Sequence, residues 1–140
     1  MPDLSRSRIG QIAVVCKDVA RASTFYRDTL GLRHLFDAGP TLAFFDCAGV
    51  RLMLSTAEQP EHDHPGSMLY FFVAGIEDVH RDLATKGVRF IDAPHLIARM
   101  PDHDLWLAAF EDSEGNTMAI MEEKRGAREQ GTGSAASARA

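Results

Sequence analysis

Histidine is the residue type here best suited to chemistry, because imidazole changes charge near neutral pH and readily ligates metals. Five histidines fall in or near polar stretches: His62, His64, His80, His95 and His103. Two stretches set histidine beside acids, EHDHP at 61–65 and PDHD at 101–104. The spacing of His62 and His64 suits a pair of ligands, but two ligands on a loop make a weak site. His95 and His103 share one segment, where either could bind a ligand or act as general acid or base. His80 reads as a solvent-facing position on a helix. Solvated surface is the plain alternative for all five.

Other side chains add smaller options. Arg51 could grip a carboxylate or phosphate with two parallel hydrogen bonds, or pair with an acid at a sheet edge. Trp106 could stack on an aromatic ligand or belong to a core. Glu111 reads as a pocket base or, more simply, a turn acid. Tyr70 completes the set of candidate acid–base groups with His95, His103 and Glu111. Ser23, Ser55 and Ser67 lack a local activating partner, and no glycine-rich phosphate loop is present. Cys16 and Cys47 form no CxxC pair and sit in apolar stretches, which predicts buried free thiols in a reducing, cytoplasmic setting.

The elements that must position these groups come in two copies. In the first, Ile9–Cys16 reads as a strand. A helix follows, capped by Asp18, carrying Val19, Ala22, Tyr26 and Leu30 on one face and stopped by Gly31. Strands are expected at Leu32–Asp37, Thr41–Cys47 and Val50–Ser55, with turns at Gly39-Pro40 and Ala48-Gly49. In the second copy, Met68–Ala74 reads as a strand and Gly75–Gly87 as a helix carrying Ile76, Val79 and Leu83. Strands are expected at Val88–Ile91, Leu105–Glu111 and Asn116–Glu122. The order is β-α-β-β-β both times, so helices should cover one face of each unit's sheet. The second copy carries about ten extra residues, which fall within Asp92–Asp104, a segment that reads as a long polar loop of the kind that often serves function.

Composition bounds the partners. The net charge of −5 argues against nucleic acid, and no apolar run approaches a membrane span. Met1–Arg8 lacks a signal-peptide core, and Gly126–Ala140 reads as a flexible tail. One domain over 1–125 is expected, with units at about 9–56 and 67–123.

The segments IGQIAVVCKDVARASTFYRDTLGL, FFVAGIEDVHRDLATKGV and FEDSEGNTMAIME resemble the vicinal-oxygen-chelate superfamily of glyoxalases, extradiol dioxygenases and bleomycin-resistance proteins. Ser113 replaces the proline of the family's Phe-x-Asp-Pro-x-Gly-Asn signature. The resemblance implies an α+β fold. Its two tandem βαβββ units would form a curved, cup-like mixed sheet, with helices on the outer face and a small ligand in the cup. It also implies a homodimer and four metal-ligand positions, which fall on Gln11, Met53, Met68 and Ala119. Gln11 can donate oxygen to a hard divalent metal. Thioethers are soft, and alanine has no donor. No metal and no other cofactor is therefore expected.

Strand alternation then predicts the cup lining. Gln11, Ala13 and Val15 should share it with Arg51, Met53 and Ser55, with Met68, Tyr70 and Phe72, and with Thr117, Ala119 and Met121. The resulting expectation is a metal-free small-molecule-binding protein whose ligand meets Gln11, Arg51, Met53, Met68, Tyr70 and Trp106. One rival is a lyase or isomerase, or a dioxygenase-like enzyme. It would use a displaced metal site or metal-free acid–base chemistry. The other rival is a non-catalytic dimerisation scaffold. His103→Ala is expected to leave folding intact and weaken binding.

Overall fold

The computed structural model describes residues 3–57 and 66–126. The chain divides into two compact units, with the boundary between Gly66 and Ser67. His62, His64 and the tail beyond Gly126 lie outside the described residues. No helix among those residues is long and apolar enough to cross a membrane.

The first unit contains β1 (Gln11–Val15), α1 (Val19–Thr24), β2 (Arg33–Asp37), β3 (Leu42–Cys47) and β4 (Val50–Ser55). The Asp18 carboxylate accepts from the Arg21 amide at 3.0 Å, satisfying one of the orphan donors at the start of α1. The helix does not run on as α to Leu30. It widens into a π-helical turn at Phe25–Thr29, with the Leu30 amide donating to the Phe25 carbonyl at 2.9 Å. Gly31 then breaks away at a φ of 81°, which favours glycine. The sheet order is β1-β4-β3-β2, with β1 and β4 parallel and the other neighbours antiparallel. The helix-bearing face holds the core: Val14, Ala43, Phe45, Leu52 and Leu54, with Tyr26 and Ala22 from above.

The second unit contains β5 (Leu69–Phe72), α2 (Ile76–Thr85), β6 (Arg89–Phe90), β7 (His95–Arg99), β8 (Asp104–Glu111) and β9 (Thr117–Lys124). Its order, β5-β9-β8-β6, repeats that of the first unit, again with the first and last strands parallel. The fold is thus α+β, built of two β-α-β-β-β units as the repeat predicts. Ile76, Phe110, Met118 and Ile120 are buried in this unit's core.

The extra segment is a correction. Residues 92–104 do not form a long polar loop, because β7 lies inside them and pairs with β8 antiparallel. β6 pairs with the other end of the same strand, so β6 and β7 are one edge strand interrupted at 91–94. The interruption is bridged by backbone and side chain. The Ile91 amide donates to the Ala109 carbonyl at 2.7 Å, and the Asp92 carboxylate accepts from the Ala109 amide at 2.8 Å. The added residues therefore lengthen a hairpin. Its tight end at 100–103 is closed by the Met100 amide donating to the His103 carbonyl at 2.7 Å.

Candidate functional site

The open face of the first sheet follows from its pairing. Gln11 lies opposite Arg51, Arg51 opposite Asp46, and Asp46 opposite Arg33. One row along, Ala13 lies opposite Met53, Met53 opposite Phe44, and Phe44 opposite Phe36. Register partners share a face, so this face carries Gln11, Arg51, Met53, Phe44 and Phe36 while Leu52 and Leu54 point into the core. The phase expected for Gln11, Arg51, Met53 and Ser55 is the one observed.

Within this face, Arg51 Nε donates to Gln11 Oε1 at 2.7 Å. The Gln11 amide nitrogen turns the other way, 3.9 Å from the Met53 sulfur. The Arg51 guanidinium lies 5.6 Å from the Phe44 ring centroid, within cation–π range. Phe36 stacks on Phe44 at 4.6 Å. An open pocket of about 600 Å³ is bounded by Arg8, Gln11, Arg51, Asp46 and Gly49, among others. A second, of about 290 Å³, continues along the sheet beside Met53, Val15, Leu42 and Ser55. Sequence reasoning missed Phe36 and Phe44. Alternation along β3 carries the signal, since Phe44 is two residues from Asp46 and Phe45 between them is fully buried.

The open face of the second sheet carries Tyr70 opposite Ala119, Ala119 opposite Ala109, and Phe72 opposite Met121. Tyr70 and Phe72 are each about half exposed. The Tyr70 hydroxyl lies 3.9 Å from the Met68 sulfur. Trp106 is not on this face. It pairs with Glu122, whose carboxylate accepts from the Gly75 and Ile76 amides at the start of α2, at 3.0 and 2.9 Å. Lys124 stands on the same side, bonded to Glu77 of α2 and 5.1 Å from the Trp106 ring. Trp106 thus lies on the helix-bearing side of the sheet, the face opposite the one that carries Tyr70.

The four acid–base candidates are spread along the second sheet. Tyr70 is in the row of Ala109, and His103 precedes β8 by one residue, six positions away. At about 3.3 Å per residue, that is roughly 20 Å. Glu111 lies at the other end of β8, bonded to Arg89. His95 pairs with Leu107, midway, and its Nδ1 is 2.8 Å from the Ala93 carbonyl. They form no single constellation. His80 is half-buried rather than solvent-facing, with its ring edge-on to Phe90 at 4.3 Å.

His103 has its own setting. Its Nδ1 is 2.8 Å from Asp102 Oδ1, and its Nε2 is 3.7 Å from Glu123 Oε2. Arg125 bonds both Asp102 and Glu123, at 3.0 and 3.1 Å. The Arg125 and His103 hydrogen bonds hold the Asp102 carboxyl down at about 2. Cys16 is buried, but Cys47 is only half-buried; burial, then Asp46, pushes its thiol pKa up, away from nucleophilic use.

The metal positions implied by the resemblance fall in equivalent places. Met53 is two residues beyond the partner of Gln11, and Ala119 is two beyond the position that continues the register from Met68. The donors do not fit a divalent metal. Met53, Met68 and Ala119 offer no hard ligand. The one carboxamide oxygen, on Gln11, already accepts from a cation. Among the described residues no group of three His, Cys, Asp or Glu is placed to hold a metal.

Comparison with known proteins sets this face in a family. No curated protein matches the chain. Similar solved structures include a lactoylglutathione lyase from Agrobacterium tumefaciens, 22% identical over 84% of this chain and 95% of that one, with a TM-score of 0.64. TnmS3, an antibiotic binding protein from Streptomyces sp. CB03234, is 22% identical over 87% of this chain and 100% of its own, at 0.69. A superfamily member from Sphaerobacter thermophilus DSM 20745 is 21% identical over 84% and 98%, at 0.71. At these identities the likeness is one of fold. A model of the glyoxalase family matches residues 8–120. On that match the chain belongs to the Glyoxalase/Bleomycin resistance protein/Dioxygenase superfamily.

Proposed function

We propose that the chain is a small-molecule-binding protein of the glyoxalase/bleomycin-resistance type that works without the family's metal centre. The bond from Arg51 Nε to Gln11 Oε1 carries this reading. A guanidinium on the one hard donor among the four family positions repels a divalent cation there and leaves the face cationic and apolar. Such a surface can orient a ligand but has no Lewis acid to polarise it. The likeness to an antibiotic binding protein agrees with a sequestering role. We further propose a homodimer, tested by sedimentation equilibrium, where a monomer mass removes it.

Protein purified without chelator should carry no stoichiometric divalent metal by elemental analysis. Added magnesium, manganese, nickel or zinc should not raise its Tm, while members of a broad metabolite and natural-product set should. A retained stoichiometric ion, or a metal-dependent rise in Tm lost in Gln11→Ala, refutes the reading.

A second reading, metal-free acid–base chemistry, is favoured by His103 standing between Asp102 and Glu123. Under it, the wild type converts a ligand found in the screen and His103→Gln does not. Under binding alone, both proteins return that ligand unchanged.

A further inference from the structure

Arg51 is exposed, and among the described residues its only hydrogen-bonding side-chain partner is Gln11. That bond uses Nε and fixes the plane of the guanidinium, leaving both Nη groups for another acceptor. Asp46, opposite Arg51 in register, does not take that place. Its carboxylate accepts from the Gly49 amide in the β3–β4 turn at 3.2 Å. Arg8 bounds the same pocket and donates to the Gly49 carbonyl at 3.2 Å. Two guanidinium groups therefore face one carboxylate there, which leaves the pocket net positive on a chain of net charge −5.

The surface next to Arg51 is apolar, and it turns partly polar farther on, at Thr41, Ser55 and Thr56. Phe44 lies beneath the guanidinium and Phe36 is stacked on Phe44. Met53 is next on β4, and the second pocket continues past it between Val15 and Leu42. From Arg51 to Ser55 the strand advances four residues, a track of roughly 13 Å. A polarisable thioether and flat rings suit an aromatic body better than a branched aliphatic one.

We infer that the ligand of this face is a planar aromatic acid. Its anion is held by the Nη groups of Arg51, and its ring lies along Met53 and Phe44. The inference rests on the small-molecule reading proposed above and adds the chemical class and orientation of the ligand. Gln11, at the family's first metal position, becomes a positioning residue that aims a guanidinium.

The probe pair is 2-naphthoate and 2-naphthamide, which share a ring system and differ in charge. Kd is measured by calorimetry, with the side-chain amide signals of Gln11 followed by NMR to locate binding. A guanidinium–carboxylate contact of this kind corresponds to about 10- to 100-fold in affinity. The wild type should prefer naphthoate by at least about tenfold, and the Gln11 amide signals should shift. Arg51→Met should remove the preference without lowering Tm, since the side chain is exposed. Phe44→Leu should weaken both probes alike. Equal binding of the two probes, or a preference surviving in Arg51→Met, overturns the anionic assignment while small-molecule binding stands. Absence of binding by both at millimolar concentration also overturns it. If the broad ligand screen is silent as well, the underlying reading falls with it.

Discussion

Glu122→Ala removes a helix cap supplied from outside the helix. The cap residue of α2 is Gly75, which has no side chain to bond the first amides. Glu122, on β9, bonds the Gly75 and Ile76 amides with its two carboxylate oxygens at 3.0 and 2.9 Å. Its side chain is 19% exposed, so water cannot fully replace it. A lost N-cap costs about 0.5–2 kcal/mol, and hydrogen bonds to a charged group about 1.5–3. Negative charge at a helix N-terminus adds to this through the helix dipole. For two partly buried bonds we expect about 2 kcal/mol, or a fall in Tm of roughly 7 °C for a chain this size. Urea unfolding followed by circular dichroism measures it. Glu122→Gln keeps one good acceptor and should lose about half as much. Lys124→Met breaks the Glu77 pair, which is partly exposed, and should cost under about 1 kcal/mol. A Glu122→Ala protein within about 0.5 kcal/mol of wild type, or a Lys124→Met protein equally destabilised, refutes the capping argument.

Two other predictions concern a turn and an ion cluster. Ala48 and Gly49 connect the paired residues Cys47 and Val50, both with positive φ, at 50° and 95°. This is the two-residue hairpin loop that favours Asn-Gly, so Ala48→Asn and Ala48→Gly should each raise stability by up to about 1 kcal/mol in urea titrations. No gain in either variant would show that the turn is not strained. Asp102 is held at about 2 against an ordinary value of 3.8 by its bonds from Arg125 and His103. A depressed carboxyl stabilises the fold above its unfolded value and loses that contribution as pH falls through its folded value. The urea midpoint of wild type should therefore exceed that of Asp102→Asn above about pH 4 and converge with it toward pH 2. A gap that stays constant over this range removes Asp102 from the pH dependence.

What the sequence makes legible is the framework, because local chemistry sets it. Asp18 can only cap, and Gly31 and Gly87 adopt the positive φ that ends each helix. Leu52 and Leu54 alternate with Arg51 and Met53, and the burial follows. The errors arise where pairing overrides local character. HLIAR at 95–99 holds a polar residue at both ends, yet Leu96 and Ala98 alternate inward and β8 supplies the hydrogen bonds. Trp106 is invisible to alternation because Ala108, Ala109 and Phe110 are all buried, which blurs the phase of a central strand. Only its partner Glu122 fixes its face. The Phe36–Phe44 stack depends on a bulge in β2 between His34 and Phe36, which no local pattern announces.

The framework and the site are therefore set by different physics, and this explains how a family fold can keep its register while changing its chemistry. The positions of Gln11 and Met53 on one sheet, and of Met68 and Ala119 on the other, are set by two parallel ladders that depend on buried neighbours such as Val14, Leu54 and Ile120. The side chains of Gln11 and Met53 stand on the open face of the first sheet, where substitution hardly disturbs the core, whereas Ala119 is fully buried. On the metal-free reading proposed above, the carboxamide at position 11 has no metal to serve. A neighbouring arginine in register can take its oxygen at little cost, since both groups are exposed. The cation that organises the face then becomes a guanidinium, which presents fixed directional donors in place of a Lewis acid. On the ligand assignment proposed above, a face built this way selects for the shape and charge of an oxyanion. Restoring a hard donor set to the first sheet's face would require removing Arg51 as well as adding a ligand at 53. Gln11→His together with Met53→Glu should accordingly fail to gain a metal-dependent rise in Tm while Arg51 remains. Adding Arg51→Ala to that pair should let such a rise appear with zinc or nickel, and its continued absence would refute the repulsion argument.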